Sequence, residues 1–155
     1  MQQIQDLMTR AHALRLQGQD LEAIELYKES IRLQPTAEAY NSLGISLSSL
    51  KRYEEAAQEN LNAIYLDDSY WLAYNDLAFN LFKLDRIAEA VIWYEKAINR
   101  VPDELSHIVN SNLGEAFELK KSWMEAMNCY VEALTNNPKY EPALEGVIRM
   151  SGYLN

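Results

Sequence analysis

Reactive side chains are sparse in this 155-residue chain, and they do not converge. His12 and His107 stand far apart. Neither has a Cys, a second His or a carboxylate at metal-ligand spacing on its own helical segment, so each reads as an ordinary histidine and no metal site is expected. Cys129 is the single cysteine, which excludes an intramolecular disulfide. It precedes Tyr130 on an apolar-periodic segment and reads as a small, at least half-buried thiol rather than a nucleophile. Adjacent carboxylates such as Glu54 and Glu55 fall on the solvated side of a helical pattern, and there is neither a glycine-rich phosphate loop nor a serine-centred elbow. The expectation is a chain with no catalytic residues and no cofactor. The chemistry that remains is recognition.

The elements that would present a recognition surface are helices in pairs. From Tyr74 to Pro102, Tyr74, Leu77, Ala78 and Leu81 form one apolar stripe at helical spacing, and Ala90, Tyr94 and Ala97 form a second after the polar break at 83–86. Neither helix can bury its stripe alone, and the small residues among the bulky ones leave the low spots that a close helix pair needs. The pattern recurs. Gly44, Ala78 and Gly114 hold the small position of a first helix, while Ala23, Ala56, Ala90 and Ala126 hold that of a second, at intervals of 33, 34 and 36 residues.

The predicted helices span 4–16, 20–33, 37–50, 53–66, 70–84, 87–100, 105–119 and 123–135. Gly18 ends the first, and Asp20 is read as the N-cap of the second. A ninth segment over 140–150 carries Ala143, Leu144, Val147 and Ile148 on one side, with Glu141, Glu145 and Arg149 facing outward. It reads as a capping helix that frays at Ser151, Gly152 and Tyr153.

This sequence resembles the tetratricopeptide repeat family, whose unit is about 34 residues with the pattern W-x2-L-G-x2-Y, then A-x3-F and a late proline. The second repeat reads Tyr40, Leu43, Gly44, Leu47, Tyr53, Ala56 and Ala63. The fourth reads Leu113, Gly114, Phe117, Trp123, Ala126, Tyr130, Ala133 and Pro138. The first repeat is clearest in its second helix, with Ala23, Tyr27 and Pro35. Three positions depart from the pattern: Asn60 replaces the second repeat's aromatic, Asp68 replaces its proline, and Asn110 replaces the opening aromatic of the fourth. Two extra residues lengthen the turn near 103–106. The resemblance implies an all-α fold, a right-handed superhelical solenoid of four helix-turn-helix hairpins plus a C-terminal capping helix. It would be one domain over 1–155, with repeats at about 4–36, 37–70, 71–104 and 107–140 and the cap at about 140–151.

The same resemblance implies a non-catalytic adaptor or scaffold that binds a peptide segment or partner protein in a concave groove lined by first helices. The inward positions are then Asn41, Ser42, Ile45 and Ser48; Asn75, Asp76, Phe79 and Phe82; and Ser111, Asn112, Glu115 and Glu118. Asn and Ser can donate to and accept from a peptide backbone, the two Phe rings offer an apolar shelf, and Asp76, Glu115 and Glu118 favour a basic or neutral partner over an acidic one. The carboxylate clamp by which some family members grip chaperone C-termini is not matched. Its five positions read Met8, His12, Ser42, Leu72 and Asp76 in one frame, and Asn41, Ile45, Asp76, Ile108 and Asn112 in the next, and neither frame supplies a Lys or Arg. A second reading places Ile92 and Trp93 on the outer surface as an anchor for a homo-oligomeric structural module.

Composition agrees with an interaction module. Hydrophobic residues make up 48% of the chain, with ten Tyr, three Trp and three Phe, enough for a packed interior. A formal charge of −9 points away from nucleic acid and from anionic membrane surfaces, both of which call for clustered Lys and Arg. No window approaches the length of a membrane span, and the N-terminal stretch lacks a basic-then-apolar leader pattern. A cytoplasmic protein is therefore expected.

Overall fold

The repeat interval has its origin in four turns. Gly18, Lys51, Asp85 and Lys121 adopt left-handed backbone, with φ of 75°, 61°, 61° and 58°. Each follows the first helix of a hairpin, and the amide of the next residue reaches back to close that helix. Gln19 donates to the Leu14 carbonyl at 2.9 Å, Arg52 to Leu47 at 2.9 Å, Arg86 to Leu81 at 2.9 Å and Ser122 to Phe117 at 3.0 Å. This is the Schellman arrangement, which satisfies carbonyls that the helix end would otherwise leave open and reverses the chain. Glycine adopts it freely. The three non-glycine residues do so against a steric cost of about 1 kcal/mol each.

The computed structural model describes residues 2–154. Its α-helices are α1 (Gln2–Leu16), α2 (Asp20–Leu33), α3 (Ala37–Ser49), α4 (Tyr53–Leu66), α5 (Trp71–Lys83), α6 (Ile87–Ile98), α7 (Ser106–Leu119), α8 (Trp123–Asn136) and α9 (Glu141–Leu154), and the described residues form no strand. A short 3-10 turn, Asp103–Leu105, takes up the lengthened connection before α7, where the Ser106 hydroxyl donates to the Asp103 carbonyl at 2.7 Å. The chain groups into two compact units, Met1–Asn80 and Leu81–Asn155, and the boundary falls inside α5.

In the first unit Met8, Ala11, Ala23, Ile24, Tyr27, Leu43, Leu47 and Ala56 form a core where α1, α2, α3 and α4 meet. In the second unit Ala126, Tyr130, Ala133, Ala143 and Met150 are buried, flanked by Phe117, Trp123 and Val147. Ala23, Ala56, Ala90 and Ala126 are all fully buried, as residues at a close helix crossing must be.

Three local expectations are corrected. Asp20 is the first helical residue rather than the cap. Gln19 takes the cap position without a side-chain hydrogen bond, while Asp20, with Glu22, places negative charge on the first turn. α9 does not fray at 151–153 but continues to Leu154, because Tyr153 stacks on Trp123 with ring centroids 4.4 Å apart and planes 6° from parallel, and the Ser151 hydroxyl donates to the Val147 carbonyl. Arg149 does not simply face water. Its guanidinium donates to both oxygens of Glu118 on α7, at 2.8 and 3.3 Å.

Candidate functional site

In the first unit, positions three and four apart on α3 and α5 open into a shared recess. α3 supplies Ile45, Ser48 and Ser49, α5 supplies Asn75, Asp76, Phe79 and Asn80, and Tyr53 at the start of α4 completes the lining of a pocket of about 390 Å³. Phe79 is 38% exposed, so its ring forms an apolar wall open to solvent. The opposite character comes from the Asp76 carboxylate and the amides beside it.

Those amides form a directed chain of hydrogen bonds. Asn80 donates to Asn60 Oδ1 at 2.9 Å, Asn60 donates to Asn41 Oδ1 at 2.9 Å, and Asn41 donates to Asp76 Oδ2 at 3.0 Å. Asn75 donates to Asp76 Oδ1 at 3.2 Å, and Asn80 makes a further bond to the Asp76 carbonyl at 2.9 Å. Each amide oxygen in the series is used by the donor before it, except the first. Asn80 Oδ1 is buried with no hydrogen-bond partner. The series exists because α4 carries Asn60 where its neighbours carry Tyr, and Gly44 makes room for it. A Cβ on Gly44 would lie 2.9 Å from Asn60 Nδ2 and 3.2 Å from the Ala56 carbonyl oxygen. Burial pushes the Asp76 pKa up, and the bonds from Asn41 and Asn75 and the charge of Arg15 act in the opposite direction.

Of the residues singled out from sequence, Ile45, Ser48, Asn75, Asp76 and Phe79 are therefore brought to one pocket. Asn41 and Ser42 are buried and engaged within the fold, Asn41 in the amide series and Ser42 Oγ 3.3 Å from His12 Nε2. In the second unit Ser111 is buried on α7, Asn112 and Phe82 are half-buried, and Glu115 is exposed, its carboxyl raised by partial burial against the opposing charge of Arg149. Glu118 is taken up by Arg149 and by the Tyr130 hydroxyl, which donates to it. On α6 Ile92 is 51% exposed, whereas Trp93 is half-buried with Lys96 Nζ 4.0 Å from its ring centroid. Burial pushes the half-buried Cys129 thiol up to about 11, assisted by Glu95, Glu125 and Glu132, which leaves it protonated and unreactive near neutrality.

Asn60, Asn80, Ser49 and Tyr53 were not among the expected site residues. The signal for Asn60 was present as a break in the aromatic pattern. For Asn80 it was its position four after Asp76 on one helix face.

Among the described residues no group of three or more His, Cys, Asp or Glu is placed to hold a metal ion, and no helix is long and apolar enough to cross a membrane. Sequence models described as tetratricopeptide repeat match residues 7–36, 36–64 and 72–100. The chain belongs to the tetratricopeptide repeat family. Among curated relatives, the uncharacterized protein ycf37 of Cyanophora paradoxa is 33% identical over 128 residues, covering 80% of this tetratricopeptide protein and 73% of ycf37. The small glutamine-rich tetratricopeptide repeat-containing protein 2 of Saccharomyces cerevisiae is 31% identical over 133 residues; the match covers 79% of this chain and 38% of the yeast protein.

Solved structures share the fold. MamA 41-end from Desulfovibrio magneticus RS-1 superposes with a TM-score of 0.82 at 17% identity, over 99% of this chain and 86% of that one. YrrB, described as a TPR protein with an unusual peptide-binding site, superposes with a TM-score of 0.76 at 17% identity, over 87% of this chain and 69% of that one. The expected all-α tetratricopeptide architecture is thus the architecture observed.

Proposed function

We propose that this tetratricopeptide protein is a non-catalytic interaction module that holds a peptide segment of a partner protein against its first-helix face. The observation that carries the reading is the pocket between α3 and α5, where a carboxylate and amides adjoin the apolar Ile45 and Phe79 side chains at an open surface. A few placed polar groups beside an apolar wall is the composition of a recognition site. Support also comes from YrrB, a structural relative whose description includes a peptide-binding site.

The test is capture of random-sequence peptides by the immobilised 155-residue chain, compared with a variant carrying Asn75→Ala and Phe79→Ala. The expected outcome is enrichment of a peptide set by the wild type and loss of that set by the variant. Identical peptide sets for both proteins would remove the first-helix face as the binding surface.

A further inference from the structure

We propose that the pocket between α3 and α5 receives one lysine or arginine side chain of a partner protein, its cationic head on Asp76 and Asn80 Oδ1 and its stem along Ile45 and Phe79. The proposal rests on the peptide-binding reading above and adds the chemistry of the residue that anchors the peptide.

Two groups on the polar side of the pocket, the Asp76 carboxylate and Asn80 Oδ1, can accept a further hydrogen bond. Each Asp76 oxygen accepts one amide hydrogen, from Asn41 or Asn75, and a carboxylate oxygen has room for a second. Asn80, only 1% exposed, lines the same pocket and holds an acceptor that nothing in the fold uses. Its orientation is fixed: both bonds that it donates, to Asn60 Oδ1 and to the Asp76 carbonyl, require its Nδ2 to point inward along the series. A buried acceptor without a donor costs free energy, and an incoming N–H group relieves that cost.

Charge then selects among donors. No Lys, Arg or His lines the pocket. Arg15 acts on Asp76 electrostatically from outside that lining. An acidic ligand would meet the Asp76 carboxylate directly, an apolar one would bury it further without compensation, and a neutral donor would supply a hydrogen bond but no opposite charge. A cation satisfies both the anion and the open acceptor, as an ammonium with three donors or a guanidinium with five can do. The remaining lining suits the rest of such a side chain. Ile45 offers aliphatic surface to a methylene stem, and the Phe79 and Tyr53 rings suit a neighbouring cation. A net charge of −9 adds a field that draws basic segments in.

The experiment selects peptides from a random library with the whole 155-residue chain. It then measures, by fluorescence anisotropy, a matched series of one selected peptide with Lys, Arg, Gln or norleucine at the anchor position. Wild type should bind the Lys and Arg peptides at least about 30-fold more tightly than the Gln and norleucine peptides, the lower end of the loss typical when one partner of a desolvated charge pair is removed. Asp76→Asn, which keeps the shape of the side chain, should abolish that preference in a chain whose far-UV circular dichroism still shows the helices of the wild type, although one of the amides of Asn41 and Asn75 loses its acceptor. Phe79→Ala, at an exposed position, should weaken the Lys and Arg peptides several-fold without altering the fold.

Peptides that bind with no preference for Lys or Arg would overturn the anchor and leave the peptide-binding reading standing. A basic preference that survives Asp76→Asn, or Lys and Arg affinities untouched by Phe79→Ala, would overturn it equally. Recovery of no peptide at all would overturn both.

Discussion

Asn60 and Tyr130 hold the same place in their repeats, four residues after a buried alanine of the second helix, and both are fully buried. Their surroundings differ. The Tyr130 ring is pinched between two helices: a Cβ on Gly114 of α7 would lie 2.7 Å from its Cε1, and a Cβ on Gly146 of α9 would lie 2.5 Å from its Cε2. Its hydroxyl donates to Glu118, which Arg149 also grips. Asn60 fills less volume and can be buried only if its amide is satisfied, so it recruits Asn41 and Asn80 and, through them, Asp76. One framework position can thus either lock a hairpin to its neighbour by ring packing or link a hairpin core to a surface pocket by hydrogen bonds. The aromatic gives rigidity at that point; the amide gives the site its orientation.

The largest expected effect comes from removing the ring. Tyr130→Ala should destabilise the protein by about 3–5 kcal/mol in urea unfolding, the usual cost of deleting a buried aromatic; a loss under about 1 kcal/mol would mean that the clamp is not a true packing centre. Asn60→Ala should cost less, about 1–3 kcal/mol, because it strands the Asn80 donor and the Asn41 acceptor in the interior. It should also disturb Asp76, visible as chemical-shift changes at the Asn41 and Asn75 side-chain amides. If those amides do not move, the two ends of the series are not coupled.

A smaller effect separates the pocket from the clamp through pH. The folded Asp76 pKa lies above its ordinary value. The native state therefore binds the proton more tightly than the unfolded chain, and its contribution to stability falls as pH rises from the ordinary aspartate range through the raised value. Asp76→Asn should remove that component, so its stability profile over mildly acidic pH should be flatter than that of the wild type; parallel profiles would refute the sign. The smallest effect belongs to the turns. Lys51→Gly should stabilise by about 0.5–1 kcal/mol by relieving left-handed strain, read as a higher denaturation midpoint.

The framework was legible in the sequence because it is periodic. Alanines at intervals of 33, 34 and 36 and a glycine or alanine opposite each aromatic are enough to place the hairpins, since each reports a steric requirement that recurs. Ile45, Asn75, Asp76 and Phe79 of the pocket were reached through the family resemblance, which implies the positions of a first helix that face inward. What stayed hidden is not periodic. The series from Asn80 to Asn60 to Asn41 joins residues 20 and 19 apart in the chain, and no spacing rule connects them. Lys51, Asp85 and Lys121 gave no sign of left-handed backbone because the local sequence lacks the glycine that Gly18 shows. The extension of α9 to Leu154 depends on Tyr153 meeting Trp123, thirty residues away in the chain.

The pinching of Tyr130 bears on how that end of the protein comes apart. One ring serves as filler for α7, α8 and α9 together, so none of the three can peel away without exposing a hole in what it leaves behind. Amide protons of α9 should exchange with solvent at the pace of those in α7 and α8, as members of one cooperative block.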